Sequence, residues 1–168
     1  MRPKAIFIVP FLLMYATSIF SQQLNEKGTF LISTNPIKLI YGIINLELEY
    51  YVSPAISFQV GSEYVIGHYI IKEENHPDFV FRIGPRYHTF YNKDFGNRID
   101  LYVGAFTGYT WSKDFEEYKG FNLGPEIGIK YKFQGPIYIN AKTFITSPIN
   151  DPKIIPGFEC LVGYVTPF

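Results

Sequence analysis

The sequence predicts an all-β protein, an eight-stranded antiparallel up-and-down transmembrane β-barrel, and three observations carry the prediction. Period-two alternation recurs in segments that are mostly 10 to 15 residues long. Soluble strands average about 5–6 residues, whereas tilted membrane strands need about 9–11. The connections between segments alternate between short and long. One register of each segment is almost free of charge, while the other carries both signs in near balance. Runs with apolar residues at the helical spacing are nearly absent.

The chain opens on a secretory signal in residues 1–21. Arg2 and Lys4 form the positive start, Ala5 to Phe20 is uncharged and apolar, and Ser21 is a small residue before Gln22-Gln23. The apolar stretch is shorter than the ~20 residues of a spanning helix. Residues 22–168 are then the barrel. Alternation marks its strands at about 28–36, 44–53, 55–67, 78–91, 98–112, 120–134, 136–147 and 156–168. The first is the weakest. Thr29 to Thr34 alternates and Asn35-Pro36 interrupts it, and a continuation into Leu39-Ile40-Tyr41 needs Pro36 at an edge or bulge. Ser53-Pro54, Asn92 to Asn97 and Gln134-Gly135-Pro136 are short turns. Pro36–Ile43, Gly67–Pro77, Ser112–Lys119 and Ser147–Ile155 are the longer connections. Short turns on one side and long loops on the other is the layout of outer-membrane barrels, with both termini on the periplasmic, short-turn side.

The apolar register carries Leu46, Leu48, Val52, Ile56, Phe58, Val60, Ile83, Leu101, Val103, Ile127, Ile129 and their counterparts. The opposite register carries Glu47, Glu49, Glu63, Asp100, Glu126 and Glu159 against Arg82, Arg86, Lys130, Lys132 and Lys142. It also holds Asn45, Gln59, Asn140 and the glycines 61, 84, 104, 108, 124, 128 and 163, which are expected to make room for long Arg and Lys side chains. A soluble lipocalin-like carrier in the periplasm would share the alternation but point its apolar face inward. Balanced charge favours the other polarity, because unpaired buried charge is costly and a narrow interior must neutralise it. Aromatics at the strand ends favour it too. Tyr50, Tyr87, Tyr91, Tyr131, Phe133, Tyr164 and Phe168 recur at the short-turn ends, and Tyr64, Phe79, Tyr109, Trp111, Phe121 and Phe158 at the long-loop ends. These are the two interfacial belts of a membrane barrel. Eight strands enclose a space that side chains just fill. The expected lumen is therefore plugged by paired charge, which argues against a general porin.

The chain has a formal net charge of zero, with no basic excess of the kind that serves nucleic acid. The single Cys160 excludes an intrachain disulfide and a cysteine zinc site. Gly84-Pro85 and Gly124-Pro125, in Arg82-Ile-Gly-Pro-Arg-Tyr87 and Asn122-Leu-Gly-Pro-Glu-Ile127, are read as bulges or bends.

The sequence resembles the small outer-membrane β-barrels grouped with the OmpA transmembrane domain and OmpX, of the short stand-alone Bacteroidetes kind. The resemblance rests on Ser21-Gln22-Gln23, on Thr34-Asn35-Pro36 followed by Asn45-Leu-Glu-Leu-Glu-Tyr50, on the Gly-Pro strands, and on Gly163 with the terminal Phe168. Thr166 and Pro167 depart from the usual terminal pattern. The resemblance implies a Gram-negative outer-membrane address, lipid around the barrel and handling by the barrel-assembly machinery. It implies no activity. Larger members carry a peptidoglycan-binding domain after the barrel, and this chain stops at Phe168.

Some small barrels modify lipid A as deacylases or acyltransferases, and a deacylase needs a hydroxyl beside a histidine with a carboxylate behind it. His88 lies on the charged register, its neighbour Thr89 faces the other way, and no His-x-Ser motif is present. His68, Glu73, Glu74, His76 and Asp78 share one long loop at spacings that match no standard metal site. No catalytic, cofactor or metal residue is assigned. The expectation is a non-enzymatic outer-membrane barrel with a structural or surface-interaction role and a surface partner that the residues do not name. A lipid A-modifying barrel and a soluble carrier are its rivals.

Overall fold

The computed structural model describes residues 28–66, 77–91, 99–113, 119–133, 135–149 and 154–166. The signal at 1–21, the loop residues His68, Glu73, Glu74 and His76, the side chain of Tyr91, and Phe168 lie outside the described residues.

Alternation becomes strand at nearly every expected position. The strands are β1 (Phe30–Thr34), β2 (Ile43–Ser53), β3 (Ile56–Val65), β4 (Phe79–Tyr91), β5 (Ile99–Trp111), β6 (Gly120–Lys132), β7 (Ile137–Pro148) and β8 (Ile155–Thr166). Each pairs antiparallel with the next, and β1 pairs with β8, so the sheet closes on itself. Closure registers Leu31 against Val165 and Ser33 against Gly163. The tight turns sit at Pro54-Ala55 and around Gly135, whose φ of 104° is a conformation that suits glycine.

Two local expectations change. β1 does not run past Pro36. A five-residue helix, α1 (Pro36–Ile40), starts there, with the Asn35 side chain accepting from the Ile37 and Lys38 amides and Pro36 in its first turn. The reason is facing. In the β1 register a continued strand would place Ile37 and Leu39 with Leu31 and Ser33 in the charged lumen, and Lys38 on the apolar face. The helix reverses that and sends Lys38 inward. The Gly-Pro pairs are not bulges either. Pairing to one neighbour lapses at Gly84-Pro85 and Gly124-Pro125, then resumes in the same register. Each proline lacks the amide for that ladder. The glycines sit where the backbone at Ala105 and Ile145 passes too close for a Cβ. The true register shifts lie near the turns, between Tyr51 and Ser53 and between His88 and Phe90.

The polarity is inside out for a water-soluble protein. Ile44, Leu46, Phe58, Ile83, Val103, Ile127 and Phe158 are exposed, while Glu47, Glu49, Arg86, Asp100, Glu126, Lys130, Lys142 and Glu159 are buried.

Candidate functional site

Among the described residues it is the lumen that gathers the ionisable side chains, and period two explains how. Every strand from β2 to β8 turns alternate residues inward, and seven strands supply the polar set. β1 adds only Leu31 and Ser33 to the interior. All eleven charged residues expected inside are there, with Arg82 the most exposed at its side chain.

Arg86 is the hub. Its Nη1 donates to Glu47 at 2.8 Å and to Glu49 at 2.6 Å, Nε to Glu126 at 2.6 Å, and Nη2 to Gln59 at 2.6 Å. Gln59 completes the ring by donating to Glu126 at 2.6 Å. From this hub the network runs both ways along the barrel. Toward the turns, Glu49 meets Lys130 at 2.6 Å, and Lys130 reaches the Tyr51 hydroxyl at 2.6 Å and Asp100 at 3.4 Å. Toward the loops, Glu47 pairs with Lys142, and Lys142 meets Glu159 at 3.2 Å. Glu159 then meets Lys38 at 2.6 Å and Arg82 at 3.3 Å, and Glu63 meets the same two cations. Two of these pairs are direct cross-strand partners, Asp100 with Lys130 and Lys142 with Glu159. Arg82 with Glu63 and Arg86 with Gln59 join the neighbouring strands β3 and β4, whereas the pairs of Glu47 and Glu49 with Arg86, Lys130 and Lys142 cross the lumen.

Lys38 was not expected in this set. The sequence count gave six carboxylates against five cations, and Lys38 makes the two equal. Its arrival depends on α1, which the alternation did not announce.

Aromatic rings also fill the lumen. Tyr51, Tyr102 and Tyr138 are buried there, with Phe106 and Phe144 toward the loop end. Cations lie over their faces: Arg86 over Tyr102 at 4.5 Å, Arg82 over Phe144 at 4.4 Å and Lys130 over Tyr102 at 4.8 Å. Tyr51, Tyr138, Leu31 and Val165 form an apolar cluster on the turn side. The glycines explain how so much fits. Arg82 faces Gly61 and Gly108 across its two ladders, and Arg86 faces Gly104. Four more face rings, with Tyr102 against Gly128, Phe106 against Gly124, Tyr138 against Gly163 and Phe144 against Gly157. Room for Arg is thus only part of their use. These rings share the parity of the charged register, so position alone could have found them.

The structure also assembles a set that no short motif encodes. Ser57 Oγ lies 2.8 Å from His88 Nε2, and His88 Nδ1 lies 2.9 Å from both Asp100 oxygens. That is the connectivity of a Ser-His-Asp triad. Its setting is unlike one that works on an incoming substrate. Ser57 is 0% exposed, and its hydroxyl donates to Glu49 at 2.6 Å. Of the acidic loop, Asp78 is described, and it accepts from the Lys113 amide at 2.5 Å. Among the described residues no group of His, Cys, Asp and Glu is arranged to hold a metal.

The aromatic positions named for the belts face outward wherever their side chains are described. Tyr64, Tyr87, Tyr109, Trp111, Tyr131 and Phe133 are exposed, and Tyr50 and Tyr164 are half-buried on the same face. Two pairs stack edge to face, Tyr109 with Phe121 and Tyr131 with Phe133, each at 5.2 Å.

No family model matches the sequence, and no curated protein matches it. Solved structures do match the fold. The crystal structure of the N-terminal β-barrel domain of Pseudomonas aeruginosa OprF superposes with a TM-score of 0.59 at 12% identity, covering 83% of this chain and 98% of that one. A de novo designed transmembrane β-barrel superposes with a TM-score of 0.54 at 12% identity, covering 84% of this chain and 98% of that one. The fold is therefore that of eight-stranded outer-membrane-type barrels.

Proposed function

We propose that the protein is an integral outer-membrane barrel with a closed, charge-paired lumen, that residues 1–21 direct it to the envelope of a Gram-negative cell, and that its role is structural or a surface interaction. One observation carries this reading above all: the wall is closed, apolar outside and charged inside. A closed barrel leaves no unpaired sheet edge, which is the condition for strands to cross lipid. A soluble carrier would need an apolar cavity within. The interior here is filled by ion pairs, and the cavity among them, lined by Asn45, Glu47, Gln59, Glu63 and Arg82, is about 10 Å³, the size of about one water. That filling also supports a barrel that passes no bulk solute. Lipid is its immediate partner on the outer face, and the assembly machinery its partner during insertion.

Membrane fractionation with gel mobility before and after boiling tests the placement. The expected result is a membrane pellet and a band that migrates differently once heated. Recovery in the soluble fraction overturns it. The reading is also non-enzymatic, despite Ser57, His88 and Asp100. Ser57→Ala is expected to leave the lipid A acylation pattern of a complemented deletion strain unchanged, and a changed pattern would revive the enzyme.

A further inference from the structure

Lys38 differs from the other cations of the lumen. Among the described residues, Arg82, Arg86, Lys130, Lys132 and Lys142 all stand on strands, locked by ladders on both sides. Lys38 stands on α1, a single turn of helix with no buried residue. Ile37, Leu39 and Ile40 of that turn are exposed. α1 sits where β1 has stopped, against β2 and the early part of β8, so it fills a place in the wall that a strand would otherwise take. Its ties to the barrel are few. Asn35 caps its start, the Gly42 carbonyl accepts from the Ile66 amide at 2.9 Å, and the Lys38 ammonium reaches inward. Short exposed elements of this kind open at low free energy compared with ladder-bound strands.

The acceptors that hold Lys38 are far better buried than it is. Glu63 Oε2 lies 2.8 Å from Nζ and Glu159 Oε1 lies 2.6 Å from it, with side chains 6% and 1% exposed against 20% for Lys38. Glu63 also lines the small cavity, together with Asn45. Asn45 Oδ1 is buried without a hydrogen-bond partner, and Glu63 Oε1 is buried with an ion pair but no hydrogen bond. That ion pair is to Arg82 Nη1, at 3.5 Å. The loop end of the lumen is thus a set of acceptors that exceeds its fixed donors. When Lys38 is withdrawn, two buried carboxylates lose a counter-charge, and an uncompensated buried charge is strongly unfavourable.

We propose that the loop-side mouth of the lumen is a binding site for a small cation, built by Glu63 and Glu159 with Asn45 across the ladder from Glu63, which the tethered ammonium of Lys38 fills and for which an external cation competes. The ligand class is a primary ammonium or a small inorganic cation, because both offer a compact positive charge to carboxylate and amide oxygens. A quaternary ammonium offers no N–H and is too large for the space. The inference depends on the closed lumen and not on which membrane surrounds it.

The test uses the full mature chain refolded in detergent, with the melting temperature read at equal ionic strength in choline, sodium or ethylammonium chloride. In choline, Lys38→Ala is expected to melt roughly 5 °C or more below the wild type. Sodium or ethylammonium restores most of that loss by mass action, while the wild type, in which the tethered ammonium holds the site, responds to the same cations only at higher concentration. Rescue by one of the two identifies which source of positive charge the site prefers. If Lys38→Ala fails to assemble in choline, the same expectation is assembly in the other salts, and failure in all of them overturns the proposal. The double variant Lys38→Ala, Glu63→Gln removes the charge that attracts the cation and is expected to lose the salt selectivity. Equal response of Lys38→Ala to all three salts, or undiminished selectivity in the double variant, also overturns it.

Discussion

Arg86 shows best how single residues hold this lumen. A guanidinium has five N–H donors in a planar fork against the three of an ammonium, so it can serve more acceptors, spaced more widely, at once. Arg86 uses that fork on three carboxylates and an amide oxygen. Arg86→Met is therefore expected to leave Glu47, Glu49 and Glu126 crowded with only Lys130 and Lys142 to offset them, at a cost of about 3–5 kcal/mol. The midpoint of urea unfolding in detergent measures it. Arg86→Lys should recover only part, and full recovery would mean that charge alone, without the fork, is enough. The sequence made the inward position of Arg86 legible, since it shares parity with Arg82 and Gly84. Its partners were not legible, because they come from β2, β3 and β6 and meet only after the sheet curls shut. The same holds for Ser57 and His88, which lie 31 positions apart in sequence. No local motif announces a contact made across a ladder.

Among the elements, pairing of large with small residues across ladders sets how each strand sits beside the next. A Cβ on Gly128 would strike the Tyr102 ring, and one on Gly163 would strike Tyr138. Gly128→Val is expected to destabilise by about 1–3 kcal/mol through overpacking. Adding Tyr102→Ala should give back part of that loss, and the double-mutant cycle reads the coupling. Simple additivity would show that the two side chains do not share the space. Strands were the most legible elements, because alternation over ten or more residues leaves little else to form. β1 was the exception. Only five of its residues pair, and Asn35-Pro36 is as good a helix start as it is a strand break. Facing decides between the two, and facing of Lys38 depends on carboxylates on β3 and β8 that local pattern does not see. Of the two readings of the Gly-Pro pairs, bulge or bend, the unchanged register excludes the bulge, since a proline that lacks one ladder bond need not shift the register.

For the whole molecule, the distribution of polarity outweighs any one contact. In the proposed membrane setting, an apolar outer wall and a neutralised core solve a problem that water never poses: strands must hide backbone and charge from hydrocarbon at once. The inner solution is a continuous network from Lys38 near the loops to His88 near the turns. The outer solution is the apolar face with aromatics toward both ends, and Trp111 is the single tryptophan of the chain. It stands at the loop end of β5, exposed, opposite Phe79 on β4. Its fluorescence in vesicles therefore tests the account most directly. Lipids brominated near the headgroup are expected to quench Trp111 strongly, lipids brominated near the chain terminus weakly, and aqueous iodide hardly at all. Strong quenching by iodide with none by either lipid would place this face in water and contradict the account.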